Sequence, residues 1–166
     1  MHRVRQLLMF VFALAGVASA APPPPPAPTV ELRFDRLTSA LTLMSDGDRK
    51  VVDQAAQLIR EGEHVGALAR LSALTKTNPD NSSLRILIAY VQLQLGNLTG
   101  AFDEAKKAHD APNGNSYRCY FLAKIAFLTG DKVTCQRELN HVKNAGDMKE
   151  DARQLESDLK KSKSKS

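Results

Sequence analysis

Gly62, Gly96 and Gly130 stand 34 residues apart, and so do Ala55, Ala89 and Ala123. A third series, Ala67, Ala101 and Cys135, keeps the same period with small side chains. Leu71, Ala105 and Leu139 keep it more loosely, as do Leu74, Ala108 and Val142. Several independent series on one period mean that one structural unit recurs, and such a unit buries its apolar face only against its neighbours. Within a unit, Leu84, Ile88, Val91 and Leu95 recur at helical spacing, Gly96-Asn97 interrupts, and Leu98, Phe102, Ala105 and Ala108 resume. The pattern predicts helix, turn, helix. Glycine suits the turn because a residue without Cβ tolerates the left-handed backbone that ends many helices. Ala89 and Ala101 fall at opposite points of such a hairpin, where small side chains bring two helices to the short end of the usual range of about 8–10 Å.

A 34-residue helical hairpin with small residues at positions 8 and 20, glycine at 15 and proline near 32 resembles the tetratricopeptide repeat. The stretch 61–68, running on to Asn78-Pro79-Asp80-Asn81, carries the likeness best. The units are 48–81, 82–115 and 116–149. Where the family has an aromatic at position 4, this chain has Val51, Arg85 and Cys119; at position 11 it has Leu58, Gln92 and Ala126. Pro112 comes one residue early, and the third unit lacks the proline. The resemblance implies an all-α fold: a right-handed α-solenoid of about three repeats.

The flanks extend the scheme. Leu37, Ala40 and Leu41 lie 34 residues before Leu71, Leu74 and Thr75, so residues 31–45 are expected to be the second helix of a degenerate preceding unit. Met148, Ala152, Leu155 and Leu159 form an apolar stripe at i, i+4, i+7 and i+11, backed by Lys149, Glu150, Asp151, Arg153 and Glu156. That is the amphipathic cap of a solenoid, and it brings the expected total to eight helices in a repeat domain spanning 31–161.

Residues 1–6 are basic and lack an acid; residues 7–20 are apolar and end in Ala18-Ser19-Ala20. This is the layout of a secretory signal peptide over 1–20, cleaved after Ala20. As a helix the apolar run reaches roughly 21 Å, short of the ~30 Å hydrocarbon core, so no integral membrane segment is expected after cleavage. Residues 21–30 hold six of the eight prolines and read as a stiff polyproline II linker. The compartment follows from the leader: periplasmic in a Gram-negative source, otherwise extracellular or in the secretory pathway. Residues 162–166 read as a disordered basic tail. The formal charge of +5 belongs to the two ends: without Arg3, Arg5 and the four lysines from Lys160 onward, 17 basic residues face 18 acidic ones. A near-neutral body gives no support to nucleic-acid binding.

In the tetratricopeptide family the first helices line a concave face that binds proteins. The resemblance places Tyr90 and Leu93 of unit two on that face, with Tyr117, Tyr120, Lys124 and Phe127 of unit three. All three tyrosines of the chain fall there, and tyrosine joins an apolar body to a polar tip. Leu93, Phe127 and Ile86 have a second reading, as filler between neighbouring hairpins. The expected partner is a protein or peptide. A basic-tail tether to an anionic envelope surface and a self-associating structural subunit are the alternatives.

No catalytic, cofactor or metal residues are assigned. His64, His109 and His141 form no H-E-x-x-H and read as surface residues at helix ends. G-x-S-x-G and phosphate-binding glycine loops are absent. Cys119 and Cys135 are expected to be unpaired and largely buried, with Cα atoms roughly 8–11 Å apart, beyond disulfide reach. Asn81-Ser82-Ser83 and Asn97-Leu98-Thr99 are glycosylation sequons at hairpin boundaries.

Overall fold

The computed structural model describes residues 30–37, 41–112, 115–143 and 147–163 of the chain. The expected signal peptide, the linker up to residue 29 and residues 164–166 of the tail lie outside the described residues. Among those described there are seven α-helices and no strand: α1 Asp46–Arg60, α2 His64–Leu74, α3 Ser82–Gln94, α4 Leu98–Asp110, α5 Ser116–Leu128, α6 Lys132–Val142 and α7 Lys149–Lys163. Consecutive helices pack against one another along the whole series. First helices also meet directly, α3 with α5 and α5 with α7. The architecture is all-α: three stacked hairpins, with α7 in the place of a next first helix.

Three identical turns set the period. Gly62, Gly96 and Gly130 have φ of +80°, +77° and +78°, backbone that a side chain would strain. At each, the glycine N–H donates three residues back, to Ile59, Leu93 and Phe127. The next N–H donates five back, to Leu58, Gln92 and Ala126 at 2.8–2.9 Å. This pair of bonds is a Schellman motif, which satisfies carbonyls that the helix end leaves open. The small residues of the repeat are all buried within the stack: Ala55, Ala89, Ala123, Ala67, Ala101 and Cys135 are 0% exposed.

Helix starts repeat as well. Asn81, Asn97, Asn115 and Asp131 each accept a backbone N–H through the side chain, from Leu84, Gly100, Tyr117 and Thr134 respectively. Both sequon asparagines are therefore N-caps. Neither cysteine is in a disulfide; Cys135 is buried and Cys119 half-buried.

Residues 31–45 are described only in part, since 38–40 lie outside the described residues. What is seen is a 3-10 turn over Phe34–Arg36 and a Leu41 N–H to Leu37 carbonyl bond of 3.4 Å. Val30, Leu37 and Met44 are buried, so this stretch covers one part of the core. Met148, one residue before α7, and Ala152, Leu155 and Leu159 on it are at most 1% exposed. Burying each leucine contributes roughly 1.5–3 kcal/mol, which holds the helix to the stack while its charged face meets water. Whereas the tail is expected from residue 162, α7 continues through Lys163. Buried Leu159 anchors the last turn, and Ser162 Oγ donates to its carbonyl at 2.8 Å.

Candidate functional site

The face expected to bind a partner is carried by α3 and α5. Leu93 and Tyr117 are packed inside the core, 2% and 1% exposed, and Ile86 is buried beside them. Tyr90, Tyr120, Lys124 and Phe127 are half-buried. The open part of the face narrows to these four. Along α1, Arg49 and Val52 line a recess of about 220 Å³ with Leu41, Thr42 and Asp53.

One end of the face is already covered by the chain itself. Arg33 N–H donates to the Tyr117 hydroxyl at 3.1 Å, and that hydroxyl lies 3.5 Å from the Glu31 carbonyl. Asn115 Nδ2 donates to the Arg36 carbonyl at 2.8 Å. Two ion pairs tie the same segment to α7 and the residues just before it: Arg33 with Asp151 at 3.5 Å and Arg36 with Asp147 at 2.7 Å. Asp147 also accepts from Ser116 Oγ at 3.0 Å. Tyr117 stacks on Tyr120, with ring centroids 6.3 Å apart. Both tyrosine hydroxyls are pushed up to about 12, by burial above all; for Tyr120 the charge of Asp151 adds to it. Burial also raises Tyr90.

Arg33, Asn115, Asp147 and Asp151 were not singled out as site residues on sequence. Their bonds join positions 79–118 apart, and a period of 34 says nothing about pairs at those separations. The fully charged face of α7 gave the only signal, and it reads equally well as solvated surface.

No helix among the described residues is long and apolar enough to cross a membrane. Among them, one group of metal-ligating side chains comes together, His109, Cys119 and Glu138. It lies where α4, α5 and α6 meet.

No family model matches the chain, and no curated protein matches it. Solved structures do. The type III secretion translocator chaperone SycD of Yersinia enterocolitica matches with a TM-score of 0.62 at 15% identity, over 76% of this chain and 91% of that one. A likeness at that identity is a likeness of fold. The chain has the tetratricopeptide-like helical-repeat fold that its period predicts.

Proposed function

We propose that this chain is an exported, non-enzymatic adaptor that binds a peptide or protein segment on the first-helix face of its repeats. The observation that carries this reading is the seating of residues 30–37. Tyr117 and Asn115 hold that segment by its main chain, at Arg33 N–H and the Arg36 carbonyl. A surface that grips backbone groups of one segment has the chemistry to hold another. Next to it, Tyr90, Tyr120, Lys124 and Phe127 supply half-buried contact area, with polar tips on all but Phe127. A chaperone of the same fold, SycD, supports a protein-handling role. Export rests on the leader-like residues 1–20 and the absence of an enzyme on the lack of any catalytic motif.

The test is co-purification from an envelope fraction, with the Tyr90→Ala/Tyr120→Ala variant and a Val133→Ala control beside the wild type. Val133 is 79% exposed on a second helix. The expected outcome is a partner kept by wild type and control and lost from the double variant, on a mature chain beginning at Ala21. Identical partners in all three would remove the face from consideration.

A further inference from the structure

The third repeat departs from the second at one buried charge. In the second, Glu104 sits between two cations: Arg85 Nη1 lies 3.0 Å from Oε2 and Lys107 Nζ 2.7 Å from Oε1. One period on, Glu138 keeps the carboxylate, but Cys119 stands where Arg85 was. Glu138 is 0% exposed. Its Oε1 retains Arg137 Nε at 2.8 Å. Oε2 has no hydrogen bond directed at it, although His109 Nε2 lies 3.1 Å away. A buried carboxylate oxygen in that state is costly, and an unexplained one points to something that completes it.

The surroundings are those of a ligand set. The donor atoms of His109, Cys119 and Glu138 all lie within 4.8 Å of one another. On the far side of the imidazole, His109 Nδ1 lies 2.9 Å from Asp110 Oδ1. On the opposite edge of the ring, Nε2 faces Glu138 Oε2. A carboxylate behind the distal ring nitrogen is the usual support of a metal-bound histidine. Arg137 fixes the other oxygen of Glu138 in the same way.

We propose that His109 Nε2, Cys119 Sγ and Glu138 Oε2 form a tridentate site for a divalent transition-metal ion of the zinc class, with the fourth position open to water or a partner's side chain. Nitrogen, thiolate and carboxylate together suit a borderline ion in tetrahedral geometry. In such a site ligand atoms stand roughly 3.3–3.7 Å apart. The imidazole and carboxylate are already near that separation, and the thiol has to close by about 1.5 Å at most. Burial and the charge of Glu138 push the Cys119 thiol up. On binding, the ion reverses that bias and the thiol proton passes to solvent. Thiolate and carboxylate then neutralise the two positive charges. The half-buried His109 and Cys119 give an entry route.

Cobalt(II) is the probe, titrated into the full-length chain after chelator treatment. The expected result is a thiolate-to-cobalt charge-transfer band saturating at one equivalent, kept in Cys135→Ser and lost in Cys119→Ser. His109→Ala should weaken cobalt binding at least tenfold while leaving the helical circular dichroism intact. A folded wild-type chain without the band would reduce the cluster to an ion pair and overturn the proposal. So would a band that survives Cys119→Ser or is untouched by His109→Ala.

Discussion

Ala101 has no exposed surface and lies on α4, which crosses and packs against α3 in the same hairpin. Its methyl group is as much side chain as that crossing admits. Ala101→Leu adds three carbons to a close-packed contact, which forces neighbours off their rotamers and costs about 1–3 kcal/mol. Urea unfolding followed by circular dichroism should show the lower midpoint, and an unchanged midpoint would contradict the close crossing. At this scale the sequence is readable where sterics rule. A site that takes only a small residue takes one in every unit, so the series 55, 89, 123 and 67, 101, 135 stand out on inspection. It is unreadable where a partner comes from another helix. Cys119 shows only as an odd residue at position 4, and His109 as one more helix-end histidine. Their meeting at Glu138 depends on three helices at once. The retained pair Glu104 and Glu138, set beside the exchanged pair Arg85 and Cys119, is the available clue.

Helices here are bounded by side chains that recur with the same period. Asn81 and Asn115 open the first helices of units two and three; Asn97 and Asp131 open the second helices. Asp131 does so with charge. Its carboxylate takes the Thr134 N–H at 2.9 Å, and that bond holds Asp131 below the usual carboxylate range. Asp131→Ala should cost about 1 kcal/mol of stability, the ordinary value of a lost N-cap. A lowered carboxylate contributes stability above its unfolded value of 3.8 and loses it as pH falls through the lower folded value. The gap between wild type and Asp131→Ala in thermal midpoint should therefore hold at neutral pH and shrink in acid. A gap independent of pH would separate the cap from its charge. Residues 31–45 show the opposite situation. Leu37 and Leu41 match the repeat, yet the stretch around Phe34–Arg36 is a 3-10 turn. Its Arg33 and Arg36 pair with residues near the far end of the chain, and those bonds are outside any repeat pattern.

Across the whole molecule the described ends close on each other. The segment 30–37, the start of α5 and the start of α7 meet around Tyr117, Tyr120, Asp147 and Asp151. A repeat stack is held mainly by contacts between neighbours, so a bond between its two ends adds cooperativity that stacking alone lacks. Tyr117 and Tyr120 report on that closure, because burial raises both hydroxyls from 10.0 to about 12. For a group raised in the folded state, the stabilising effect is complete below pH 10. It is lost as pH climbs through about 12, since the unfolded chain gives up the proton first. Tyrosinate absorbance of the native chain should rise late, with two of the three tyrosines ionising near pH 12, while the urea-unfolded chain ionises near 10. Lysines also titrate in this window, so Tyr120→Phe is the control: its stability should fall less steeply between pH 10 and 12 than that of the wild type. Coincident tyrosinate curves for folded and unfolded chain would mean that the two ends do not close over these rings. The face that Tyr117 and Tyr120 share with segment 30–37 would then stand open to an external peptide from the start.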